Sequence, residues 1–127
     1  MILLDTDVLI DCLRGLPSAD RWLRTSSDRD FSIPGVAAME LVVGCQDKAD
    51  LEHVQAFIRR FNVIWPEAGE FERAFDLLAA HRLEFGVEAP DCIIAAIALE
   101  RGVPLYTFNL KHYQRFPGLE VLEPYTR

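Results

Sequence analysis

"ILLDTDVLI", residues 2–10, decides how this chain is read. Three apolar residues, Ile2, Leu3 and Leu4, run straight into Asp5. Asp7 follows two residues later, and the apolar pattern resumes at Val8. An unbroken apolar triplet reads as a short buried strand, the kind that fills parallel sheets covered on both faces. Burying a carboxylate at the edge of such a core costs on the order of several kcal/mol unless something compensates it. The stretch therefore poses two questions: what sheet the strand belongs to, and what the acids at its end are for.

Working outward, the spacing predicts a helix from about Asp7 to Arg14, stopped by Gly15. A second short helix is expected over residues 17–26, around Trp22 and Leu23. Phe31-Ser32-Ile33 reads as the second strand. Pro34 opens a helix through Leu41 and Val42, ended by Gly44. Leu51, Val54, Phe57, Ile58 and Phe61 have helical spacing over residues 50–61, and Val63-Ile64-Trp65 reads as the third strand. A long amphipathic helix is expected over residues 68–85, with Phe71, Ala74, Phe75, Leu78 and Phe85 on its apolar side. Pro90 starts another helix, Asp91 to Arg101, capped by Gly102. Leu105-Tyr106-Thr107 is a fourth strand, and residues 119–122 a fifth. Strands alternating with helices predict an α/β fold: a three-layer α/β/α sandwich around a central parallel sheet. Ligands of such sheets bind beyond the carboxyl ends of the strands, and Asp5 stands at one of them.

The chain has 127 residues, half of them hydrophobic and 26% charged, which suits one globular domain over residues 1–127. Its longest uninterrupted apolar run, Cys92 to Leu99, falls far short of the ~18 residues that span a bilayer. No secretory signal is visible, so a cytoplasmic, non-membrane protein is expected. Cys12, Cys45 and Cys92 have neither C-x-x-C spacing nor adjacent histidines and read as mostly buried thiols of a reducing compartment. The formal net charge of −7 argues at first against a nucleic-acid partner, since phosphate contacts need Lys and Arg. A cluster of metal-binding carboxylates contributes to the same figure, so charge alone does not settle the partner.

Three acids on three elements draw attention. Asp5 lies between an apolar strand and a helix, where a buried carboxylate wants a cation. Asp91 opens a helix that is apolar on every side from Cys92 to Leu99; the helix dipole alone would favour an acid there. Glu40 is the only charged residue between Phe31 and Gln46. Asp7 has a plain reading as the N-cap of the first helix. If Asp5, Glu40 and Asp91 converge, they suit a hard divalent cation such as Mg²⁺ or Mn²⁺, and with it hydrolysis of a phosphodiester.

The chain resembles the PIN-domain ribonucleases, specifically the VapC-type toxins of toxin–antitoxin pairs. The resemblance is carried by "LLDTDVLID", "AAMELVVG", "DCIIAAIAL" and "LYTFNLKHYQRFPGLEVLEP", in the family's order over nearly the whole chain. It implies a three-layer α/β/α fold and Mg²⁺- or Mn²⁺-dependent endonucleolytic cleavage of RNA. It also implies a small antitoxin partner that blocks the site, and a homodimer. By position, Asp5, Glu40 and Asp91 match the family's catalytic, metal-holding acids, with Thr6 and Asp7 shaping the turn. Members commonly end in T-x-N-x-x-D-F or T-x-D, which supplies a further acid. Here the segment is "TFNLKHY": Asn109 fits the first pattern, but His112 stands where its acid belongs. Asp7, Asn109 and His112 are thus auxiliary candidates, with His112 equally readable as a surface residue. A second metal would lack its carboxylate.

Lys111, Arg115 and Arg14 are candidate RNA contacts. Arg59 and Arg60 read as a solvated helix face, His53 and His81 as surface or edge residues, and Trp22 and Trp65 as core. An apolar groove near Leu9, Leu13, Trp22 and Leu41 is the expected seat of an amphipathic antitoxin helix. Two rival readings remain. One is a haloacid-dehalogenase-like phosphatase, with Asp5 as nucleophile and Asp7 as acid/base. The other is a non-catalytic PIN-like binding module.

Overall fold

The computed structural model describes residues 1–127. Five strands, β1 (Ile2–Leu4), β2 (Phe31–Pro34), β3 (Asn62–Ile64), β4 (Leu105–Tyr106) and β5 (Val121–Leu122), form one sheet. Its order is β3-β2-β1-β4-β5 and every pairing is parallel. The helices are α1 (Thr6–Leu13), α2 (Pro17–Thr25), α3 (Gly35–Val43), α4 (Lys48–Ile58), α5 (Ala68–Phe85), α6 (Ala89–Arg101) and α7 (Leu110–Tyr113). They flank the sheet in the expected three-layer α/β/α arrangement. Leu3 and Leu4, neighbours with opposite side-chain directions, are both fully buried, so the sheet is covered on both faces. No helix is long and apolar enough to cross a membrane.

Strand order fixes where a site can form. From β1 the chain builds outward through β2 to β3, then returns to place β4 on the other side of β1. The order reverses between β1 and β4. This topological switch point opens a crevice at the strands' carboxyl ends. Asp5 follows β1 there, and Thr107 follows β4.

Several elements differ from the sequence reading. Pro34 does not open a helix: it ends β2, pairs with Ile64, and stands as the extended N-cap of α3. Gly35 then begins the helix against Trp65, whose ring occupies the place a Cβ would take. Trp65 itself is 60% exposed rather than core. Trp22 does pack inward, on Phe31, Tyr106 and Tyr125. Helix α4 starts earlier than expected because the Asp47 side chain accepts the Asp50 amide N–H. Helix α5 buries Glu70, Ala74 and Leu77, while Phe71 and Phe75 face outward. Glu70 is tolerated inside because Arg101 binds both its oxygens, at 2.7 and 3.0 Å. Gly102 ends α6 at φ +63°, the left-handed cap read from the sequence.

Candidate metal centre

The site is built on the ends of β1 and β4 and the starts of α1 and α6. Asp5, only 7% exposed, is the N-cap of α1: its Oδ1 accepts the Thr6 amide at 2.8 Å. Its Oδ2 accepts the Thr107 hydroxyl at 2.8 Å. The Tyr113 hydroxyl lies 3.4 Å from Asp5 Oδ1 and 3.1 Å from Asp91 Oδ1, linking acids that are far apart in sequence. Asp91 sits in the first turn of α6 and points into the same space. Glu40, on the more exposed side, accepts the Thr6 hydroxyl at 3.1 Å.

Asp7 is not the cap, contrary to the sequence reading. Helix α1 begins one residue earlier, which makes Asp5 the cap and turns Asp7 toward β4. Asp7 accepts the Val8 amide at 2.7 Å and the Phe108 amide at 3.0 Å, with the Thr107 hydroxyl 3.2 Å away. It ties the loop after β4 to the start of α1.

His112 is not a free surface residue. Its Nε2 lies 2.9 Å from Asp91 Oδ2, yet out of line for a hydrogen bond, so the contact is one of proximity. Asn109 is exposed at the start of α7, its backbone amide donating to the Thr107 hydroxyl at 3.0 Å. Lys111 is exposed on α7 beside His112 in sequence. Arg14 lines one groove together with Glu40, whereas Arg115 packs on another element. Arg14 caps the far end of α1, and the Arg115 guanidinium stacks 4.3 Å over Phe85 at the end of α5. Thr107 and Tyr113 were missed as site residues. The signals were a hydroxyl ending an apolar strand and a tyrosine where the family pattern has phenylalanine.

The electrostatics are those of uncompensated anions. Burial, then the neighbouring Asp7 charge, pushes the Asp5 carboxyl up to about 7. Burial also raises Asp7 and, less completely covered, Glu40. Neither Asp5, Asp7 nor Glu40 has a salt-bridge partner, and Asp91 meets only His112. No three His, Cys, Asp or Glu side chains are close enough to hold one ion without rearrangement. The donor chemistry nonetheless fits a hard divalent cation: carboxylates and hydroxyls around a crevice with no Lys or Arg bonded to them. The thiols take no part. Burial pushes Cys12 up to about 12 and Cys92 up to about 11, which keeps both protonated.

Beside the acids runs a groove of about 300 Å³ between α1, α3 and α4. Leu13 and Leu41 line it, with Ile10, Val54 and His53, and Glu40 stands in its wall. Leu9 is fully buried and Trp22 packs elsewhere, so neither contributes to it as expected from sequence.

Known proteins with these features are similar over the whole chain. Residues 2–118 match the PIN domain family. Ribonuclease VapC10 of Mycobacterium tuberculosis is 33% identical over 126 residues, covering 98% of this chain and 92% of that protein. Ribonuclease VapC of Rickettsia bellii is 28% identical over 131 residues, covering 95% and 94%. Among solved structures, a toxin–antitoxin complex from Klebsiella pneumoniae superimposes with a TM-score of 0.79 at 29% identity, covering both chains completely. The sheet order, the acids at the switch point and these similarities agree: the chain belongs to the PIN-domain family, with VapC-type ribonucleases among its relatives.

Proposed function

We propose that this protein is the toxin of a toxin–antitoxin pair, a divalent-metal-dependent endoribonuclease that hydrolyses RNA phosphodiester bonds. The observation that carries the reading is the acid set at the switch point: Asp5 and Asp91, linked through one hydroxyl, with no Lys or Arg bonded to either. Asp5 and Asp91 would hold Mg²⁺ or Mn²⁺, with Glu40 at the open rim. When bound, the ion supplies charge to activate a water and to stabilise the departing oxygen. Thr107 orients Asp5 through its hydroxyl. Asp7 fixes the Thr107–Phe108 turn. Lys111, exposed next to His112, is the basic residue best placed in sequence to meet RNA phosphate.

The groove alongside Glu40 fits the antitoxin. An apolar segment seated on Leu13 and Leu41 would end against the acids, so one partner could bind and inhibit at once. A second copy of the chain fits another face, where Met39, Val42, Val43 and Trp65 are exposed together. The phosphatase reading is weaker because Asp7, its acid/base, is already committed to two backbone amides. Induced expression followed by mapping of RNA 5′ ends tests the proposal. Discrete new ends, absent when a companion antitoxin is co-expressed, support it. An unchanged RNA profile rejects it.

A further inference from the structure

Tyr113 is fully buried, and its hydroxyl is the only side-chain group that reaches both Asp5 and Asp91. The ring packs against those of His112 and Phe116, with centroids 5.9 and 6.2 Å away. A phenol hydroxyl carries one proton, so here a single donor is offered to two carboxylates. The neighbouring residue of α7 acts on the same acid: His112 Nε2 stands 2.9 Å from Asp91 Oδ2 while Tyr113 covers Oδ1. Both oxygens of Asp91 are thus approached from α7 before any ion arrives.

We propose that Tyr113 is a positioning residue that sets the affinity of this site for its metal. The hydroxyl holds Asp5 and Asp91 together in the ion-free state and must surrender that link when an ion draws on both acids. This rests on the reading of Asp5 and Asp91 as the metal-holding pair. Hydrogen bonds to carboxylates are among the stronger ones in proteins. One that exists only without the ion stabilises that state alone and lowers metal affinity by the same free energy. The residue that the family pattern puts here, phenylalanine, has the same ring and no such donor.

The test is Tyr113→Phe, which preserves the packing and removes only the hydroxyl. Mn²⁺ binding is measured by the paramagnetic resonance of the free ion and by calorimetry, on wild type, Tyr113→Phe and Asp5→Asn. Binding by Tyr113→Phe is expected to be about tenfold tighter than wild type, the scale of one hydrogen bond to a charged group. Mn²⁺ should also raise the melting temperature of this variant more than that of wild type. Equal or weaker binding by Tyr113→Phe, with wild-type binding intact and lost in Asp5→Asn, overturns the role of Tyr113 and leaves the metal site standing. Absence of Mn²⁺ binding by wild type overturns both.

Discussion

Thr107 Oγ1 lies 2.8 Å from Asp5 Oδ2, a contact between residues 102 positions apart that closes the crevice between β1 and β4. The same oxygen accepts the Asn109 amide, so one hydroxyl orients Asp5 and shapes the loop behind it. Thr107→Val keeps the shape and removes both bonds. It should lower unfolding free energy at pH 8 by about 1–3 kcal/mol, because Asp5 is left short of a donor in a buried place. Urea denaturation measures this, and a loss below about 0.5 kcal/mol would remove Thr107 from the account.

The raised Asp5 carboxyl makes stability depend on pH with a definite sign. Its folded value of about 7 exceeds the ordinary 3.8, so between these limits the folded state holds a proton that the unfolded state has released. Stability of the metal-free protein should therefore fall as pH rises from about 4 to about 7, by on the order of 4 kcal/mol from this group. Asp7 and Glu40 are raised as well and add in the same direction. Asp5→Asn should flatten most of the slope and be more stable than wild type above pH 7. Thermal melts across pH in a chelating buffer would show it.

Glu70 is shifted the other way, chiefly by its hydrogen bonds from Arg101. Its contribution is present above the ordinary glutamate value of 4.5 and is lost as pH falls below it, so it meets the Asp5 window only at the acid end. Arg101→Met should cost about 2 kcal/mol by leaving Glu70 without its partner. RNA cleavage should be unchanged. Arg101 and Asp91 stand at opposite ends of α6, about 15 Å apart at 1.5 Å per residue. A thermal shift and a cleavage rate, measured on the same preparation, check both halves.

His112 occupies the position of the missing acid and faces Asp91. Fewer negative ligands hold a second dication less firmly. His112→Asp should therefore lower the Mn²⁺ concentration that gives half-maximal cleavage. Superimposable Mn²⁺ curves for the two proteins would show that position 112 does not influence the ion.

Much of this was legible because burial and chemistry coincide in the sequence. Leu3 and Leu4 announce a covered strand, the apolar run of α6 announces a buried helix, and an acid at the edge of each asks for a cation. What escaped depends on contacts between distant segments. Asp7 looks like a cap until β4 brings Phe108 to it. Tyr113 looks like core until its hydroxyl is seen between two acids. Phe71 and Phe75 repeat at helical spacing just as core residues do, and periodicity cannot distinguish a face that packs inside the molecule from one that is left outside. Trp65 fails for a similar reason, since Gly35 lets the ring lie on α3 from the solvent side.

The most direct measurement is cleavage of a defined RNA by purified protein, comparing wild type, Asp5→Asn and Asp91→Asn, with Mn²⁺ and with excess chelator. The account predicts cutting by wild type with Mn²⁺ only, and a loss of at least about a hundredfold in each variant, since an amide carries no charge to hold the ion. Cleavage at the wild-type rate by either variant, or by wild type stripped of metal, would contradict it.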